Sequence, residues 1–341
     1  MDPSAKRNLG RTGVGLTQLG LGAVPLGDLY VKLSDQDATQ TMDAAWQAGV
    51  RYFDTSPWYG RGQSEHRVGR FLYERPRDQF VLSTKVGRVL RRPLRPGPFD
   101  TGMWKGGLHF DHAFDYSYDG VMRSFEDSLQ RLGINSVDLL LIHDIDFWHH
   151  KTEAKVGAYL AQLFTGGWRA LAELRDQGAI KGIGAGINEL GMIPRFLDLF
   201  DIDFFLVAMR YTLLEQEMLD AEFPRCAERG VGIVIGGVYN SGILATGAVP
   251  GAYYNYAPAG AEIMERVKRI EGVCRGHGVP LAAAALQFPL GHPIVASVIP
   301  GSNSAAQAKQ NADAVSHAIP GDFWAELKHK GLLRADAPVP V

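Results

Sequence analysis

Eight short apolar runs rich in β-branched residues recur along the chain, each followed by a longer stretch, and this alternation restricts the fold more than any other feature. The runs are Thr17–Leu21, Val50–Asp54, Phe80–Lys85, Val137–Ile142, Ile180–Gly184, Phe204–Val207, Val231–Ile235 and Val295–Ile299. Helix-like stretches cover Asp35–Ala48, Ser64–Tyr73, Tyr118–Leu132, Gly167–Gln177, Glu217–Arg229, Glu262–Arg275 and Ser304–Val315. Several start at a serine cap (Ser34, Ser64, Ser304) and several stop at glycine (Gly49, Gly133, Gly178, Gly230), as helix boundaries do. Strands apolar nearly throughout imply a parallel sheet covered on both faces. Eight such units in 341 residues predict a closed (β/α)8 TIM barrel, read as a single domain over residues 1–341.

Composition narrows the function classes. Lys plus Arg total 35 against 37 Asp plus Glu, so the net charge of -2 offers no field for nucleic acid or an acidic membrane surface. Two cysteines, Cys226 and Cys274, lack metal or redox spacing, which excludes a disulfide scaffold and suits a reducing cytoplasm. The polar start Met1–Lys6 has no apolar signal segment, and no run reaches the ~18 apolar residues of a membrane span. The expectation is a cytoplasmic protein, monomer or homo-oligomer, whose partner is a small molecule.

Three connections are long: Val86–Ser117, His143–Gly166 and Gly236–Ala261. All follow a strand and therefore belong at the C-terminal rim, where barrel enzymes place their sites. Their aromatic residues suit a cover over a substrate, and Trp58, Tyr116 and Trp148 are candidates for stacking on it.

Four polar residues stand at strand ends on that rim: Asp54 and, in the turn after it, Tyr59; then Lys85; then His143. A phenol is a poor acid and a poor base at neutral pH, with a pKa of about 10. A nearby ammonium should favour the tyrosinate, a carboxylate should hold the ammonium, and an imidazole can orient a substrate oxygen. The set reads as one proton-transfer device with Tyr59 as acid and base. Clusters that suggest a metal site, His109-Phe110-Asp111-His112 with Asp115, and His149-His150, lie in loops without fixed geometry, and the device needs no metal.

The segment Gly49-Val50-Arg51-Tyr52-Phe53-Asp54-Thr55-Ser56-Pro57-Trp58-Tyr59-Gly60, with Gly62-Gln63-Ser64-Glu65 after it, closely resembles the signature of the aldo-keto reductase family. Leu9-Gly10-Arg11-Thr12-Gly13 and Leu19-Gly20-Leu21-Gly22 resemble that family's start, which implies an N-terminal β-hairpin plugging the barrel bottom. The resemblance implies that Tyr59, Lys85, Asp54 and His143 are the catalytic tetrad, and that hydride passes to or from a nicotinamide lying across the rim. In agreement, no G-x-G-x-x-G follows a strand; Gly182-Ile183-Gly184-Ala185-Gly186 has the wrong spacing.

By the same resemblance Gly22, Asn188, Tyr211, Pro300, Gly301, Ser302, Asn303, Gln307, Gln310 and Asn311 are the cofactor-binding candidates, with Tyr211 stacking on the nicotinamide. The sixth strand lacks the usual Gln and offers Met209 and Arg210 instead. Members that prefer NADP carry Lys and Arg where this chain has Gly301 and Gln307. A 2′-phosphate wants charge-assisted partners, so the expected cofactor is NAD. Gly186-Ile187-Asn188-Glu189 and Arg210-Tyr211-Thr212-Leu213-Leu214 are similar to a branch containing D-threo-aldose (L-fucose) 1-dehydrogenases and pyridoxal 4-dehydrogenases. The implied reaction turns a cyclic hemiacetal into a lactone, on an aldose first and pyridoxal second. Two rival readings are a channel-subunit-like NAD(P)-binding protein and a metal-dependent hydrolase, the latter without the His-x-His expected after the first strand.

Overall fold

The structure, a computed structural model, describes residues 1–94 and 97–340. A hairpin of β1 (Lys6–Asn8) and β2 (Gly15–Thr17) precedes the first barrel strand, β3 (Leu21–Gly22). The sequence run Thr17–Leu21 is thus divided between plug and barrel. Next come barrel strands β4 (Tyr52–Asp54) and β5 (Val81–Val86), then a rim hairpin of β6 (Arg88–Arg91) and β7 (Asp111–Phe114). Barrel strands β8 (Leu139–His143), β9 (Gly182–Ile187), β10 (Phe204–Ala208) and β11 (Gly232–Gly236) follow. A second rim hairpin, β12 (Tyr253–Tyr254) with β13 (Ala257–Pro258), precedes the last barrel strand, β14 (Val295–Ile299).

The eight barrel strands form one parallel sheet from β3 to β14. Its two edges meet through parallel bridges Leu19↔Val298 and Gly22↔Gly301, and Gly20 N–H donates to the Val298 carbonyl at 2.9 Å. The barrel predicted from the alternation is therefore formed.

Alternation along each strand explains how the interior divides into layers. Tyr52, Leu139, Leu141, Phe204, Leu206 and Val234 pack with Leu9, Val14 and Leu16 of the N-terminal hairpin region, so the plug fills the lower interior. One or two pleats further up, the same inward face carries Asp54, Ser83, Lys85 and His143. Gly182, Gly184 and Gly186 belong to this face of β9. A Cβ on Gly184 would lie 2.4 Å from the Phe204 ring, and one on Gly186 would lie 3.7 Å from the His143 ring. This glycine run makes room inside a barrel; it does not cradle a phosphate.

Two expected elements change. The connection after β8 is largely helical: Phe147–His150, then Glu153–Gln162 running through a wide turn at Leu163–Gly167 into Trp168–Asp176. The stretch expected as one helix at Glu217–Arg229 is a short turn, Glu217–Leu219, followed by the helix Glu222–Glu228. Helices at Met192–Leu199, Leu281–Leu290 and Gly321–His329 were not anticipated.

The interior argument predicts opposite outcomes for two glycines. Gly184→Ala forces a methyl into the fully buried Phe204 ring and should cost about 1–3 kcal/mol, read as a lower urea midpoint. Gly157→Ala, on an exposed helix where a Cβ meets nothing within 4 Å, should leave stability unchanged or raise it by up to about 1 kcal/mol, read as an equal or higher urea midpoint.

Candidate active site

Backbone geometry places the reactive phenol. After β4 the chain turns through Gly60, Arg61 and Gly62, with φ of 66°, 55° and 101°, before the helix Gln63–Tyr73 begins. Gly60 is needed twice, for its positive φ and because a Cβ there would lie 2.6 Å from the Gly27 carbonyl. Ser64 at the start of the helix donates to the Ala23 carbonyl and lies 2.9 Å from Thr55 Oγ1, tying turn to barrel. Tyr59 is left half-buried over the barrel mouth.

Beneath it lies a fully buried ion pair. Lys85 Nζ donates to Asp54 Oδ2 at 2.7 Å and to the Thr55 carbonyl at 2.8 Å. The other carboxylate oxygen accepts from Ser83 Oγ at 2.7 Å, and Ser83 in turn meets Tyr52 Oη at 3.1 Å. Lys85 Nζ is 4.6 Å from the centre of the Tyr59 ring. His143 stands edge-on to Tyr59, with ring centres 5.8 Å apart. Its Nδ1 is 3.1 Å from Ser56 Oγ, and its carbonyl accepts from Tyr116 Oη at 2.6 Å. The structure thus brings Asp54, Tyr59, Lys85 and His143 together.

Charge states depart from one expectation. Burial, reinforced by Asp54 and Asp144, raises the Tyr59 phenol well above its ordinary value. The neighbouring ammonium does not hold it down, because Asp54 already balances Lys85. Burial lowers the Lys85 pKa against the pull of Asp54. His143 is held well below its ordinary value by burial, opposed by Asp144 and assisted by Lys85 and Arg88, so its ring is neutral.

Sequence reasoning missed the ring of charge around His143. Asp144 adopts a left-handed φ of 57° and is buried. Its carboxylate accepts from Arg88 at 2.5 Å and from Asn188 Nδ2 at 3.0 Å, and lies 3.3 Å from His143 Nε2. Burial would raise the Asp144 pKa, but His143, Arg88 and His149 together drive it far below the carboxylate range. Two acidic residues spaced Asp-Ile-Asp directly after a strand-end His were the available signal. Arg88 had none.

The cofactor and substrate candidates divide. Tyr211 is buried among Phe223, Phe288 and His292, with ring centres 4.8, 5.1 and 5.8 Å away, and presents no face for stacking. This corrects the expected nicotinamide contact: the chain turns outward at Met209, whose φ is 64°, and carries Tyr211 into the outer layer. Asn188 spends its amide on Asp144 and on Asp146 Oδ2 at 2.8 Å, while its carbonyl accepts from Arg210. Gly22 is explained by closure, since a Cβ would lie 2.7 Å from the Ile299 carbonyl.

Pro300, Gly301, Ser302 and Asn303 lead from β14 into the helix Ala305–Ser316, with Gln307 and Gln310 exposed on its first turns. Asn311 donates to Ser302 Oγ at 3.0 Å and accepts from Tyr239 Oη at 2.7 Å. Trp58 is on the rim, edge-on to Trp104 at 5.7 Å, and Trp148 reaches Tyr256 of the second rim hairpin at 6.2 Å. Tyr116, two residues past β7, is fully buried and supports the His143 backbone instead of facing substrate, because its hydroxyl is drawn to the His143 carbonyl.

Among the described residues, one group of three has metal-ligand spacing, Asp144, Asp146 and His149. Arg88 and Asn188 already donate to those carboxylates, and His149 Nδ1 lies 2.8 Å from Asp146. The His109–Asp115 set forms no such group among these residues.

Comparison with known proteins identifies the family. The model of the Aldo/keto reductase family matches residues 18–331. A pyridoxal 4-dehydrogenase of Microbacterium luteolum is 46% identical, covering 97% of this chain and 98% of its own. A D-threo-aldose 1-dehydrogenase of a Pseudomonas species is 40% identical, covering 94% and 96%. Among solved structures, the holo form of aldo-keto reductase AKR11C1 from Bacillus halodurans superposes with a TM-score of 0.74 at 25% identity, covering 98% of both chains. A family match across the barrel and two dehydrogenases aligned over nearly their whole length lead to one statement: this chain is an oxidoreductase enzyme that belongs to the aldo/keto reductase family.

Proposed function

We propose that this enzyme is an NAD-linked dehydrogenase that oxidises a cyclic hemiacetal to its lactone, with Tyr59 accepting the hydroxyl proton. The observation that carries this reading is the dry Lys85–Asp54 pair directly beneath a half-buried phenol and beside a neutral imidazole. Aldo-keto reductases use a nicotinamide cofactor, which when bound supplies the hydride acceptor and, in its oxidised form, a positive ring. In this reading Lys85 and Asp54 fix the field under Tyr59, and His143 donates from Nε2 to the substrate oxygen. Two hemiacetals meet the description, the ring form of an aldose and pyridoxal. The relatives named for each support the class.

The choice of NAD rests on the segment after β14. Gly301 and Gln307 are neutral, and the nearby Lys309 is engaged with Asp313 at 3.2 Å. A lysine at position 301 has no simple place, because a Cβ there would lie 2.7 Å from Pro25. Asn303 and Gln307 offer neutral hydrogen-bonding groups that suit a ribose hydroxyl better than a phosphate, while the buried Ser302 and Asn311 bond to one another beneath them.

The proton acceptor, the cofactor and the product are each open to measurement. With its pKa raised, little Tyr59 is ionised at neutrality, so log kcat/KM for oxidation should rise with slope near +1 from about pH 7 to about pH 9. Tyr59→Phe should cost at least ~100-fold in turnover while leaving NAD binding intact. A flat profile, or more than about a tenth of the activity in Tyr59→Phe, assigns the proton to another group.

For the cofactor, Gln307→Arg alone should tighten NADP binding by about 10- to 100-fold, the worth of a charge-assisted contact. Equal affinity for NAD and NADP in the unaltered protein would contradict the reading.

For the product, Cys226 and Cys274 are buried, with thiols pushed up to about 12 and about 11, so no thioester route to an acid has a nucleophile. Early infrared or NMR spectra of turnover with L-fucose, D-arabinose, L-galactose and pyridoxal should show a lactone carbonyl before any carboxylate. Acid appearing first, in buffer where authentic lactone persists, rules out the hemiacetal.

A further inference from the structure

Beside Tyr59, three buried donors have nothing to donate to. The indole Nε1 of Trp104, the Nδ1 of His112 and the Nε of Arg88 are closed off from solvent, and none has a hydrogen-bond partner among the described residues. All three side chains converge on Trp58. Trp104 meets its ring edge-on at 5.7 Å, the His112 ring is centred 4.5 Å away, and the Arg88 guanidinium lies 4.5 Å over it. Trp104 is also 6.1 Å from the Tyr59 ring. The β6–β7 pairing explains the convergence: Arg88 is opposite Phe114 and Leu90 opposite His112, which puts Arg88 and His112 on one face of the hairpin.

Their chemistry is one-sided. An indole N–H and a guanidinium can only donate. Arg88 Nη1 lies 3.4 Å from His112 Nε2, so that nitrogen is the acceptor and the proton of the neutral ring is on Nδ1, the atom without a partner. Burial, with Arg88 second, holds the His112 pKa down to about 4, which keeps the ring neutral at pH 7. The cluster therefore presents three N–H groups and no acceptor. Buried donors left unmatched are costly, and a native fold rarely gathers several without use.

We propose that Trp104, His112 and Arg88 form a substrate subsite for an ionised aromatic hydroxyl next to the carbon being oxidised. A phenolate oxygen accepts only, as these donors require. A sugar hydroxyl must also donate, and finds no acceptor among the three. The aromatic rings of Trp58, Trp104 and His112 gathered at these donors suit a flat ring carrying that oxygen. Of the two hemiacetals above, pyridoxal has an ionisable ring hydroxyl adjacent to its reacting substituent, and an aldose has none. The inference rests on the proposed proton transfer at Tyr59 for its placement, but its donors are tested without turnover.

The probe is 4-deoxypyridoxine, which keeps the ring hydroxyl and has only a methyl group where the aldehyde carbon stands in pyridoxal, titrated calorimetrically into the NAD-saturated protein beside its analogue lacking that hydroxyl. The hydroxyl should tighten binding by about 10- to 100-fold, and Trp104→Phe should reduce that ratio several-fold. Should Trp104→Phe fold poorly, His112→Ala serves the same comparison. A ratio of affinities is the readout because general damage to the pocket weakens both compounds alike. Equal binding of the two compounds, no binding of either, or a ratio unchanged in both variants overturns the subsite. A hydroxyl-dependent ratio together with no lactone formation from any hemiacetal would leave the subsite standing and remove the proposed reaction.

Discussion

The contact between Lys85 and Asp54 sets the terms for everything around it. Both side chains are almost wholly removed from water, and burying two charges is favourable only where each remaining lone pair and proton is also matched. Thr55 and Ser83 complete the match, and they can do so only in the observed register, with Asp54 opposite Ser83 on neighbouring parallel strands. A slip of β4 by one residue would turn Asp54 toward the outer helices and leave Lys85 buried without its partner. The register of β4 against β5 is thus tied to this ion pair, which sits in the polar layer above the apolar plug.

Much of this was legible in the amino-acid sequence because it lies in alternation along single strands. Tyr52 and Asp54, or Leu141 and His143, declare a shared inward face two residues apart. Partnerships between segments were not legible. Asn188 and Asp144 meet because β8 and β9 are neighbours, and nothing in either segment names the other. Tyr211 misled for a related reason. An aromatic residue just past a strand can turn in or out, and the left-handed backbone at Met209, which decides the matter, occurs at a residue with no preference for it. The helix Leu281–Leu290 carries no sequence mark because most of it is buried, so it lacks the polar face of an outer helix.

Rim loops contribute more structure than their irregular composition suggests. The connection after β5 returns as a paired strand and brings Arg88 and His112 over the barrel mouth. The connection after β11 does the same with Tyr253–Pro258, where Asn255 and Tyr256 take consecutive left-handed conformations. Arg210 holds that turn at Asn255 Oδ1 and also binds Glu215 and the Asn188 carbonyl. The arginine in place of the expected glutamine is therefore a structural tie between two rim segments.

Closure of the sheet joins segments far apart in the sequence. Gly20 is hydrogen-bonded to Val298, and Arg7 donates to the carbonyls of Leu290 and Val295. During synthesis β3 must wait for β14, made much later, before its open edge is paired, and loop closure over that separation makes this a late step. Until β14 emerges from the ribosome, the nascent sheet carries unsatisfied edges on both sides, the condition under which strands from separate chains pair with each other. A chain cut short before β14 would be an open, adhesive sheet and not a smaller barrel.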